Sequence, residues 1–221
     1  MLFRSRDRVL KYMGIMGIEA IYPHKKKSTS AKNSQHKVHS YLLDKYWSSS
    51  GGTRTVCVPN SNEVWSGDIT YIRMSGGFMY LAAIIDWHSK AILSYKLSNS
   101  MDTSLVTDVL QEALGKYPAP KIFNSDQGSQ YNSHEHTERL KNNNIQISMN
   151  GKGRSIDNIV IERFFRTLKY NCIFINEFKN VKELKDGISS YMDKYNYQRF
   201  HSSIGYQKPM NVYLDYLQIV A

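Results

Sequence analysis

Between residues 62 and 97 the chain lays down three runs rich in β-branched and aromatic residues: NEVWSGDITYI (62–72), FMYLAAIIDW (78–87) and AILSYKL (91–97). Only short turn-formers such as Ser75-Gly76-Gly77 part them, so they read as three consecutive antiparallel strands. Next, Asp102 or Thr103 can cap a helix whose Leu105, Val106, Val109, Leu110, Ala113 and Leu114 share one broad apolar face, closing at Gly115 and Pro118. A short strand at 121–125, a helix at 133–141 and a strand at 145–148 follow. The order β-β-β-α-β-α-β predicts an α/β fold, with helices packed on a mixed five-stranded sheet. After a loop with two glycines (149–155), Asp157 or Asn158 starts a helix through Lys169. Its Ile161, Phe165, Leu168 and Cys172 recur at i, i+4, i+7 and i+11, which is a core stripe. A last long helix opens with Asn180 and Glu183 in capping-box spacing and is expected to bury Val181, Leu184, Ile188, Tyr191, Met192 and Tyr195.

Charge is distributed unevenly. Residues 1–60 hold 11 basic and 3 acidic side chains, which is +8 of the whole chain's +10. That asymmetry suits a polyanionic partner, and nucleic acid rather than membrane, because no basic amphipathic helix carries a continuous apolar face. A solubilising basic arm fits the charge alone equally well. Residues 7–17 give a short helical pattern with Gly17 as its stop, and 24–52 reads as a polar, basic linker around a short helix at 41–47. Cys57 and Cys172 stand far apart in no metal-binding motif, so no disulfide framework is expected and a reducing cytoplasm fits. The apolar run at 80–85 is too short to span a membrane, and no signal peptide leads the chain.

Three acids fit a core poorly. Asp68 falls mid-strand, where a carboxylate is costly unless something cationic meets it. Asp126 ends the fourth strand in SDQGSQY, where a turn is the plain reading. Glu162 sits about 100° beyond the core stripe, with Arg166 and Lys169 at i+4 and i+7, and by itself reads as an exposed ion pair. Taken together they point elsewhere. The first and fourth strands can be neighbours, so Asp68 and Asp126 could face each other while the helix brings Glu162 over them. Three carboxylates in one place repel unless divalent cations sit between them, and all-oxygen ligation selects magnesium or manganese over zinc. Asp86 reads as part of a hairpin turn, and His134 and His136, too far apart around a helix to chelate together, as surface histidines.

The words around these acids resemble the DDE transposases of insertion sequences, relatives of retroviral integrases. VWSGDITYI is similar to their W-x-x-D-I-T-Y-I and SDQGSQY to S-D-x-G-x-x-Y. SMNGKGRSIDN matches a glycine loop ending in Asp-Asn, ERFFRTLK matches E-x-F-F-x-x-L-K, and YNYQRFHSSIGYQKP the tail Y-N-x-x-R-x-H-x-x-L-G-x-x-x-P. Asp126 and Glu162 have 35 residues between them, the D,D(35)E spacing. The resemblance implies a ribonuclease-H-like core with C-terminal helical tail over 60–212, a basic linker over 25–59, and a remnant of a helix-turn-helix region over 1–24, truncated at its N-terminus. It implies that Asp68, Asp126 and Glu162 hold two Mg2+ or Mn2+ ions, with Asp68 bridging, for nicking at element ends and strand transfer into target DNA. Lys169, Arg166, Lys152 and Arg154 would contact DNA, and Asn158, Arg199 and His201 would support the site. The paired cysteines that would complete a zinc site with His36 and His39 are missing. The expected partners are insertion-sequence ends, target DNA, further copies of the chain and a separately encoded helix-turn-helix protein, in the cytoplasm and at the nucleoid. A catalytically inactive or regulatory DNA-binding remnant is the alternative.

Overall fold

The computed structural model describes residues 6–18, 39–50, 53–151 and 155–220, so Lys152, Arg154 and His36 lie outside the described residues. The chain divides into two compact units, Met1–Gln35 and His36–Ala221. In the first, helix α1 (Arg6–Ile15) stops where Gly17 takes φ 66°, a left-handed conformation that glycine adopts without a Cβ penalty.

The second unit begins with a single 3-10 turn (Asp44–Tyr46) and an antiparallel hairpin, β1 (Trp47–Ser50) with β2 (Thr53–Val56), in the register Trp47↔Val56. Leu43 and Tyr46 are buried in the core beside this turn. The main sheet contains β3 (Val64–Met74), β4 (Gly77–Asp86), β5 (Ile92–Ser98), β6 (Ile122–Ser125) and β7 (Gln146–Met149), in the order β5-β4-β3-β6-β7. The three meander strands pair antiparallel because tight turns join them. β6 and β7 run parallel to β3, because α2 (Thr103–Lys116) and α3 (His134–Asn142) carry the chain back across the sheet before each of them. This is the mixed five-stranded sheet the residue patterns predict.

Helices cover both faces, which explains why β4 reads as a continuous apolar run rather than an alternating one. Leu81, Ala83 and Ile85 of β4 join one core with α4 (Ile159–Leu168) and α5 (Val181–Tyr197), while Ala82 and Ile84 join a second with α2, α3 and α6 (Pro209–Val220). The α4 stripe Ile161, Phe165, Leu168 and Cys172 is buried as expected. Asn180 and Glu183 form the capping box, the Asn180 carboxamide oxygen accepting from Glu183 N–H at 2.9 Å and the Glu183 carboxylate from Lys179 N–H at 2.8 Å. Three expectations fail. The helix expected at 41–47 is only the 3-10 turn Asp44–Tyr46, because Trp47 turns extended into β1, so part of the stretch read as linker belongs to the fold. Val181 is 49% exposed, because the residue after the cap faces outward in the first turn. His136 is not a surface histidine: α3 turns it inward at 1% exposure, with its ring edge-on to Phe123 and Tyr131. Asp86 serves its turn as anticipated, accepting from Asn62 N–H, Ser89 N–H and the Ser89 hydroxyl. Cys57 and Cys172 are both free. Among the described residues no helix is long and apolar enough to cross a membrane.

Candidate active site

Strand periodicity fixes where the acids point. Val64 and Ile72 of β3 face the α4–α5 core while Trp65 and Ile69 face the other, so Asp68, of even parity, shares the α4 side. On β6, Ile122 faces the α4 core and Phe123 the opposite one, which puts Asp126 on the α4 side as well. β3 and β6 run parallel with Ser66 opposite Asn124, so two residues further along Asp68 and Asp126 come level just as β6 ends. Two glycines permit this. A Cβ on Gly67 would stand 2.7 Å from the Phe123 ring and 3.1 Å from that of Tyr131. At Gly128 it would stand 2.9 Å from the Asp126 carboxylate, which instead accepts the Gly128 N–H at 2.9 Å.

Glu162 stands exposed on α4, and its charge reaches Asp68. Its presence is felt electrostatically: the Asp68 carboxyl is pushed up to about 7, first by burial and then by the charges of Asp126 and Glu162, partly countered by the Ile69 N–H it accepts and by the Lys169 ammonium. Crowding by protein also raises Asp126, against the pull of the Gly128 N–H, and Glu162. Among the described residues none of the three carboxylates makes an ion pair. Nor do any three His, Cys, Asp or Glu side chains form a ready cage for a metal ion there. The donor chemistry nonetheless suits a hard divalent cation: all oxygen and mutually repelling, with the Lys169 ammonium only partly offsetting the charge at Asp68. Lys169 opens a π-helical stretch (Lys169–Ile173) that continues α4, and its ammonium lies 4.8 Å from the centre of the Tyr71 ring. Arg166 stacks over Tyr170 at 5.8 Å.

Beneath the acids lies a polar floor of which the sequence had pointed to Asn158 but not to Asn124, its centre. Asn124, wholly buried, donates through its carboxamide nitrogen to the Asn150 side chain, to Asp157 C=O and to the Asn158 side chain, and accepts from Ser148 Oγ–H at 2.8 Å. Asn158 in turn donates to Gly67 C=O at 3.3 Å, so the start of α4 is tied to the strand that carries Asp68. An Asn within an otherwise apolar strand was the available signal, since a buried amide needs partners. Arg199 and His201 are placed elsewhere. His201 meets Tyr195 edge-on and feels the charges of Lys90 and Arg199, away from the three acids.

Comparison with known proteins follows the same outline. Two models, each described as an integrase core domain, match residues 59–155 and 143–209, together spanning more than half of the chain. Transposase InsF for insertion sequence IS3A of Escherichia coli (strain K12) is 37% identical over 151 residues, covering 67% of this chain and 52% of its own. The chain spans about half the length of the curated relatives it matches. Among solved structures, the simian T-cell lymphotropic virus intasome aligns with TM-score 0.63 at 17% identity, over 82% of this chain and 60% of that one. The HTLV-2 integrase catalytic core in complex with magnesium aligns with TM-score 0.52 at 17% identity, over 70% and 97%. At such identities the structural likeness establishes the ribonuclease-H-like fold.

Proposed function

Because the chain belongs to the integrase-core family, alongside the transposases of insertion sequences, we propose that it cuts insertion-sequence ends and joins them to target DNA by phosphoryl transfer. The observation that carries this reading is that β3 and β6 bring Asp68 and Asp126 level on the α4 side, where the Asp68 carboxyl is raised first by burial and then by the charges of Asp126 and Glu162. Asp68, Asp126 and Glu162 would hold Mg2+ or Mn2+, two ions in all with Asp68 shared. Such ions, when bound, make a water or a DNA 3′-hydroxyl a better nucleophile and neutralise charge on the leaving oxygen.

The chain's own residues do the positioning. β3 and β6 hold the two aspartates level, and the Gly128 N–H fixes one oxygen of Asp126. Glu162 would join them from α4. The Asn158 link to Gly67 keeps that helix in place. Lys169 and Arg166 lie along the same edge of α4 and would meet phosphates, positioning DNA without reading its bases. Lys152 and Arg154 on the preceding loop would add to that contact. Two DNA ends must be brought together for insertion, so the working form would be an oligomer on DNA, with end recognition supplied by a helix-turn-helix region, in this chain or in a partner, and the protein at the nucleoid. The test is Mn2+-dependent nicking of supercoiled DNA, with Mn2+ binding followed separately by calorimetry. Glu162→Gln should cut nicking by about 100-fold or more, in line with the loss of an interaction made chiefly in the transition state, and weaken Mn2+ binding. Equal nicking by the two proteins defeats the assignment.

A further inference from the structure

On the side of α4 that carries Ile159, Arg163 and Thr167, a cavity of about 430 Å3 opens between the β1–β2 hairpin, α4 and the turn at 201–203. Lys90, Arg163 and His201 all line it, with the hydroxyls of Ser202 and Ser203 beside them, and among the described residues no Asp or Glu does. Cationic groups of like sign do not gather without a reason, since each raises the cost of charging the next. The cost is visible here. Lys90 is held down to about 8, first by burial and with the Arg163 charge adding to it, and His201 is lowered by burial and by Lys90 and Arg199. Asp86, the carboxylate whose field reaches Lys90, already spends its oxygens on Asn62 and Ser89 and forms no ion pair. Lys90 also sits at φ 64°, a left-handed backbone that residues with a Cβ seldom take, with its ammonium donating to Trp87 C=O.

We propose that this cavity is a phosphate-binding site, in which Lys90, Arg163 and His201 receive one phosphate group and the Ser202 and Ser203 hydroxyls donate to its oxygens. Free phosphate and a DNA phosphodiester both supply such a group, and the recognition chemistry is the same. None of the three residues belongs to the acidic site, so the assignment does not depend on catalysis there. Calorimetric titration of the full chain in EDTA, which silences any divalent-ion site, tests it with two probes: inorganic phosphate, and a short single-stranded oligonucleotide bearing no terminal phosphate. Saturable binding of one phosphate or one oligonucleotide per chain is expected. Arg163→Gln should weaken it by about tenfold, the loss of one charge-assisted hydrogen bond, whereas Lys185→Gln, an equal charge change on exposed α5, should leave it within about twofold. Arg163 is exposed, so an unchanged urea midpoint will confirm that its variant is folded. Binding of phosphate alone assigns a free anion, and binding of the oligonucleotide, displaced by phosphate, assigns a diester. No saturable binding of either probe, or equal weakening by Arg163→Gln and Lys185→Gln, overturns the proposal.

Discussion

Replacing Asp68 with Asn should stabilise the metal-free protein, and by an amount that grows with pH. The Asp68 carboxyl lies at about 7 in the folded chain against an ordinary value of 3.8. Between those values the folded state binds the proton that the unfolded state has released, so stability falls as pH rises through that window. Each pKa unit corresponds to about 1.4 kcal/mol, so the full penalty above pH 7 is roughly 4 kcal/mol, while at pH 5 only about 1.5 kcal/mol of it has developed. Asn is nearly isosteric and cannot ionise. Urea unfolding of wild type and Asp68→Asn in EDTA should therefore show the variant's advantage rising by roughly 2–3 kcal/mol from pH 5 to pH 8. Mn2+ should then reverse the order at pH 8 by binding the folded wild type through its carboxylates. A stability difference that stays flat with pH would mean that Asp126 and Glu162 do not press on Asp68, and the account of the site would fail with it.

Two further outcomes follow from the packing around the acids. Gly67→Ala drives a methyl to 2.7 Å from the Phe123 ring in the middle of a paired strand, where the backbone has little room to move, and should cost about 1–3 kcal/mol by urea unfolding; an unchanged midpoint would show that the contact is slack. Among the described residues His136 has no hydrogen-bond partner on either ring nitrogen, and it is lowered to about 4 by burial and by Arg139, so the unfolded chain takes up its proton first as pH falls below 6.5. Wild type should lose up to roughly 3 kcal/mol between pH 6.5 and 4 from this one group, a slope that His136→Leu removes, and matching pH profiles for the two proteins would contradict the burial argument.

The elements with a strong period were legible. The stripe Ile161, Phe165, Leu168, Cys172 and the pair Asn180–Glu183 each have a spacing that one secondary structure alone satisfies, and the meander over 62–97 follows from its apolar runs. The acids were legible for the opposite reason, as charges in places where burial penalises charge. Less could be seen where the cause is tertiary. The β1–β2 hairpin is short and serine-rich, and its one signal was the Gly51-Gly52 dipeptide between two short runs. α6 is anchored through Met210 and Tyr213 against a core made by distant segments, and nothing local reveals that. His136 lies in a polar helix, and its inward turn is decided by the space beside Phe123 and Tyr131 rather than by its neighbours in sequence. The polar floor was hidden likewise, since Asn124 draws its partners from β7 and from the turn that precedes α4.

The integrase-core match starts at residue 59, yet the folded body does not start there. Leu42 N–H donates to Ser148 Oγ at 3.0 Å, and that same hydroxyl donates to Asn124, while Leu43 next to it is wholly enclosed. A fragment cut at the family boundary would thus lose a peg from its interior and leave a hydroxyl two steps from the acidic site short of a donor. Shortened versions made for crystallisation or assay should keep the whole second unit, from His36 onward; trimming closer would mistake the extent of sequence similarity for the edge of the cooperative unit.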